Sequence, residues 1–132
     1  NRTCYKGEVN WSGIGALLVA LAVALGAFGA HGLKDHLDAY QLNIYEKAVF
    51  YHFIHALGIL IVSVLMRTGA LSAPAQNRVC WLLFLGILFF SGSLYTLAIS
   101  GVRIRGIITP IGGVAFIAAW VWLGIELFRA PQ

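Results

Sequence analysis

Four apolar stretches of this chain carry side chains able to do chemistry. His31 stands near the end of "ALGAFGAHGL", and Tyr51, His52 and His55 stand in "AVFYHFIHALGILI". Ser91, Ser93 and Tyr95 follow in "FFSGSLYTLA", and Thr109 in "ITPIGG". Imidazole titrates near neutral pH and binds metals, while hydroxyl and phenol groups both donate and accept hydrogen bonds. Placed in hydrocarbon, each has to find a partner. Mutual hydrogen bonding is the most economical use of such a set, because no water is present to satisfy it.

Three functional uses compete with that structural one. A bis-histidine haem takes two imidazoles from different helices, and His31 with His52 or His55 supplies the pair. No haem attachment motif accompanies them, and His31 ends its stretch. A metal centre asks for three or more close His, Cys or carboxylate ligands, which requires His36, Asp35 and Asp38 to fold inward. A proton or small-solute path would line a wet cavity with Tyr51, His52, His55, Ser91 and Tyr95. No acidic residue stands at mid-stretch to couple ion movement, so a pore between protomers of an oligomer is the form such a path takes. Cys4 and Cys80 form neither CxxC nor CxxCH and point to neither zinc nor covalent haem. The expectation is a non-enzymatic protein with no catalytic residues, metal or cofactor. Its candidate polar cluster is His31, Tyr51, His52, His55, Ser91, Ser93, Tyr95 and Thr109.

The elements that hold these residues follow from composition. Of 132 residues, 60% are hydrophobic and only 11% charged, and mean hydropathy is +0.84. This lies outside the balance of soluble domains. Charge-poor runs of about 20 residues, the length that crosses a bilayer, predict transmembrane helices at 11–31, 48–66, 79–100 and 106–127. They form one domain at 11–128, between a polar tail at 1–10 and a short tail at 129–132. The first run is longer than a signal-peptide core and has three more spans behind it, so it is expected to be retained.

Four spans put both termini on one side, called side A here with the 67–78 loop. Side B holds 32–47 and 103–105. Side A carries five basic residues (Arg2, Lys6, Arg67, Arg78, Arg129) and side B four (Lys34, Lys47, Arg103, Arg105). The positive-inside rule leans from this toward cytoplasmic termini. A net charge of +4 spread over every loop makes no nucleic-acid stripe. The implied partners are the lipid bilayer and other membrane subunits or a second copy.

Between the first two spans, "GLKDHLDAYQLNIYEKA" spaces Leu33, Leu37, Tyr40 and Ile44 at helical intervals, which predicts a short amphipathic helix lying at the side B interface. "RTGALSAPAQNR" reads as an irregular loop. "SGVRIRG" is short enough to make the last two spans antiparallel neighbours. Ala22, Gly26 and Ala30, every fourth residue of the first span, predict close backbone packing. Trp11, Trp81, Trp120 and Trp122 suit the side A aromatic belt. Placed on alternating spans, the polar residues of all four converge in the side B half, and the side A half is mostly apolar.

Four segments in order, "ALGAFGAHGL" at 24–33, "YHFIHALGIL" at 51–60, "FSGSLY" at 90–95 and "TPIGG" at 109–113, resemble the YgdD-like family of small bacterial inner-membrane proteins. That family is known as domain of unknown function 423 and has a small eukaryotic transmembrane relative. The resemblance implies an all-α integral membrane four-helix bundle in the bacterial cytoplasmic membrane. It brings no catalytic residues to carry over. Its segments coincide with the side B polar cluster, and the tail 1–10 lies outside it.

Overall fold

The computed structural model describes residues 8–101 and 108–130. Most of the tail at 1–10 and most of the "SGVRIRG" connection lie outside these residues. The chain is all-helical, with four helices long and apolar enough to cross a membrane and no strand among the described residues. Helix α1 (Trp11–His31) starts where the Asn10 side chain accepts a hydrogen bond from the Gly13 amide at 3.0 Å. Helix α2 (Ala39–Arg67) starts on a capping box: Asp38 accepts from the Gln41 amide at 2.7 Å, and Gln41 from the Asp38 amide at 3.0 Å. The third span runs through α3 (Ala73–Gly86), a π-helical turn (Ile87–Ser91) and α4 (Gly92–Ser100), and α5 (Ile108–Arg129) is the fourth.

The expected interfacial helix does not form as a separate element. Residues 32–37 are turns and bends, and the helix that begins at Ala39 continues unbroken through the second span. The capping box nucleates it, and no proline or glycine interrupts it before Gly58. Leu33 and Ile44 fold into a small side B cluster with Tyr45 and Ala98, while Tyr40 faces outward. At 1.5 Å per residue, the 29 residues of α2 reach about 43 Å against roughly 30 Å of hydrocarbon. The uncharged run at 48–66 fills the hydrocarbon, so the first two turns of α2 stand out of it on side B.

Helices α1 and α2 pack through a heptad seam. On α1, Trp11, Gly15, Leu18, Ala22, Leu25 and Gly29 alternate steps of four and three and are buried or half-buried. On α2, Tyr45, Ala48, His52, His55, Ile59 and Val62 repeat the alternation and are all buried, a row shared between α1, which meets Tyr45 and Ile59, and the later spans, which meet His55. Such alternation keeps one face on an antiparallel partner in left-handed packing. The glycines set the distance: a Cβ on Gly15 would lie 3.0 Å from Leu60 and 3.2 Å from Ile59, and one on Gly29 would enter the Tyr45 ring. Of the expected stripe, Ala22 is buried and a Cβ on Gly26 would lie 3.3 Å from Val49, but Ala30 is exposed, and the close contact at that end falls on Gly29 instead.

The third span packs on α2 and on α5, so the spans adjoin in chain order. The main core gathers Trp11, Ile59, Val62, Val79, Leu83, Phe116 and Leu123 in the middle and side A part of the bundle. Side A is closed by Trp11 Nε1 donating to Asn77 at 3.2 Å and by Ser12 donating to Ser63 at 3.0 Å. Arg78 lies 5.7 Å over the Trp122 ring, and Trp122 donates to Glu126. Trp120 departs from the expected belt. It lies at mid-span against Gly58 of α2, its ring centroid 5.9 Å from that of His55, with its outer edge exposed.

Candidate functional site

The π turn positions the polar residues of the third span. One extra residue in a helical turn re-aims the side chains on either side of it, and here it lies where α5 comes closest. A Cβ on Gly112 would strike the backbone nitrogen and Cα of Phe90, and one on Gly86 would enter the Phe116 ring. The antiparallel pairing of Gly86 with Phe116, Phe90 with Gly112 and Ser93 with Thr109 runs straight through the π turn. Ser93 donates to the Phe90 carbonyl at 2.8 Å, so Thr109 donates to Ser93, at 2.6 Å. Ser93→Ala is expected to cost about 0.6 kcal/mol, an ordinary interhelical hydrogen bond in a membrane. Detergent unfolding of Ser93→Ala, Thr109→Val and the double variant checks this, and the double should cost no more than either single.

His52 is 2% exposed. Its Nδ1 meets the Tyr95 hydroxyl at 2.9 Å, joining α2 to α4. The Tyr45 ring packs edge-on against Tyr95 at 5.4 Å, and the Tyr45 hydroxyl donates to the Leu25 carbonyl of α1. His52 Nε2 is sealed and has no hydrogen-bond partner among the described residues. The Leu18 backbone interacts with the ring but does not complete hydrogen-bond geometry with that nitrogen. The Ser91 hydroxyl, in the π turn, is likewise buried and unpartnered among the described residues.

His55 is held differently. Its Nδ1–H donates to the Tyr51 carbonyl one turn back at 2.7 Å, which fixes the tautomer and leaves Nε2 as an acceptor. The ring lies flat on Phe116, 3.5 Å between centroids and 14° between planes. Tyr51 stacks at 6.0 Å and itself packs on Phe90 at 4.7 Å. His55 thus sits among Tyr51, Phe116 and Trp120, with Phe90 packed against Tyr51 and Phe116.

The structure therefore joins His52 with Tyr95, Ser93 with Thr109, and His55 with Tyr51, and places Ser91 in the turn between them. It does not bring in His31, which is exposed at the end of α1. The α1–α2 register pairs Gly29 with Tyr45 and Gly26 with Val49, which sets His31 level with residue 43. That is nine residues, about 13 Å along the axis, from His52. The two imidazoles do not face a common slot. Among the described residues no three His, Cys, Asp or Glu side chains gather as a metal group. Phe90, Phe116 and Tyr45 are members that the sequence did not single out, and Trp120 is one that it assigned to the belt, because an aromatic residue in an apolar span carries no mark of what it touches.

A four-span helical protein with glycine-seated helices and a polar, aromatic middle is a polytopic membrane protein. The chain belongs to the family described as Protein of unknown function (DUF423), which it matches over residues 25–113. It is 50% identical over 116 residues to a UPF0382 membrane protein of Staphylococcus saprophyticus, covering 88% of this chain and 94% of that protein. It is 45% identical over 118 residues to the UPF0382 membrane protein YwdK of Bacillus subtilis, covering 88% and 94%. No solved structure matches it.

Proposed function

We propose that this protein is a non-enzymatic accessory or assembly subunit of the bacterial cytoplasmic membrane, with cytoplasmic termini, and that it packs through α1 against another membrane protein. The observation that carries the proposal is a second small-residue face on α1. Ala16, Ala20, Ala24 and Ala27 are all exposed, and at 3.6 residues per turn they centre on the side of the helix opposite the α2 seam. Small residues at such spacing let two helix backbones approach in a membrane. Helix α1 thus has one face for its own bundle and another suited to a neighbour.

The test is gentle extraction from the native membrane followed by native mass spectrometry. A second polypeptide in fixed ratio is expected, and Ala16→Leu with Ala20→Leu should release it while leaving the detergent melting temperature unchanged. A protein always free of stoichiometric partners, or a partner retained by the leucine variant, would defeat the proposal. The His52 Nε2 and Ser91 hydroxyl, without a hydrogen-bond partner among the described residues, favour a second reading, a proton or small-solute conduit formed in an oligomer. That one requires flux in reconstituted vesicles that disappears with His52→Leu.

A further inference from the structure

A lateral groove opens between α1 and α2 at the side B end, with a volume of about 640 Å³, inside the roughly 300–1,000 Å³ of small-molecule sites. Its floor is Gly26 and Gly29 of α1, and its wall is Val49 and Phe53 of α2. Gly29 cannot carry a side chain without entering the Tyr45 ring, so the floor stays low. The groove also reaches Lys34, in the turn after α1, and Glu46, on α2. Both are exposed, and neither has an ion-pair partner among the described residues.

Depth gives this arrangement its meaning. Val49 and Phe53 belong to the uncharged run that begins at residue 48, whereas Glu46 lies just before it, in the part of α2 that stands out of the hydrocarbon. The groove therefore straddles the boundary of the bilayer, apolar in its inner half and bearing one cation and one anion in its outer half. An acyl chain fits the inner half. A phosphate fits Lys34, and a primary ammonium fits Glu46.

We infer that the α1–α2 groove is a binding site for an amine-bearing phospholipid, its chain along Gly26 and Phe53, its phosphate on Lys34 and its ammonium on Glu46. A diglyceride with a purely anionic headgroup would leave Glu46 opposed to it. A quaternary amine would meet Glu46 without donating a hydrogen bond. The site is separate from the exposed alanine face of α1, so it stands whether or not that face holds a partner.

The experiment uses the full chain, stripped of lipid in a neutral detergent and given equal amounts of phosphatidylethanolamine, phosphatidylglycerol and phosphatidylcholine with identical acyl chains. Native mass spectrometry reads the retained adducts. Phosphatidylethanolamine should be retained about fivefold over phosphatidylglycerol, the ratio that an exposed ion pair of about 1 kcal/mol gives. Glu46→Gln should abolish this preference while lipid is still retained, and Lys34→Gln should lower retention of all three. Both residues are exposed, so the variants should keep the helical melting curve of the parent. Equal retention of the three lipids, a preference unchanged in Glu46→Gln, or a second copy of the chain displacing lipid would each overturn the inference.

Discussion

Replacing Gly112 by leucine should leave almost no folded protein, and even Gly112→Ala should lower stability by about 1–3 kcal/mol, the usual range for overpacking. The reason is what the new carbon meets. At Gly112 it meets the backbone of Phe90, with Phe90 Cα at 2.8 Å, and backbone cannot rotate away as a side chain can. Relief requires α5 to move off the π turn, which also pulls Thr109 from Ser93 and Phe116 from His55. The neighbouring Gly113 is the control. A Cβ there would lie 3.8 Å from the Phe90 ring, an ordinary contact, so Gly113→Ala should change stability little or raise it through the better helix propensity of alanine. Unfolding in the same detergent compares the two variants directly. Equal losses at 112 and 113 would mean that the close approach of α5 to the π turn does not hold the bundle together.

How much of this was legible beforehand varies with the physical signal. Hydrocarbon demands long uncharged runs, so the four spans and their order stand plainly in the sequence. The side B grouping of His52, Tyr95, Ser93 and Thr109 followed from counting depth along alternating spans. The start of α2 did not. Glu46 and Lys47 end the uncharged run, yet a helix does not stop where the bilayer does, and Asp38 and Gln41 cap it nine residues earlier. The α1 seam was misread for a related reason. Steps of four select Ala22, Gly26 and Ala30, of which the first two do meet α2, whereas a supercoiled contact follows alternating fours and threes and ends on Gly29 rather than on the exposed Ala30.

The π turn left no mark at all. Ile87 to Phe90 are the same residue types as any lipid-facing helix, and the turn is fixed by Gly112 and Phe116 from a span that comes later in the chain. His31 shows the opposite failure, a residue of suggestive chemistry that the register sets about 13 Å along the axis from His52, too far to join the others. A histidine is visible in a sequence as a chemical type, but its distance from another histidine depends on a helix register that no local pattern states.

His52→Leu should destabilise the protein by about 1–2 kcal/mol, with a control that separates strut from site. The leucine removes the Tyr95 partner and leaves a phenol unpaired in the bundle, which costs free energy. It also removes an Nε2 that is already sealed and without a partner among the described residues, which offsets part of the loss. Tyr95→Phe should cost a similar amount by stranding Nδ1. The double variant, with both polar ends gone, should cost less than the two singles together. The coupling expected for an interhelical hydrogen bond in a membrane averages about 0.6 kcal/mol and reaches about 1.7. A coupling of zero would mean that the 2.9 Å contact contributes nothing to folding. His52 would then be a polar group kept in the seam against its own desolvation cost, and that cost would point to the conduit. If instead the coupling is present and His52→Leu keeps its membrane partner, the imidazole is a strut between α2 and α4, and the outward alanine face of α1 is the surface through which the protein acts.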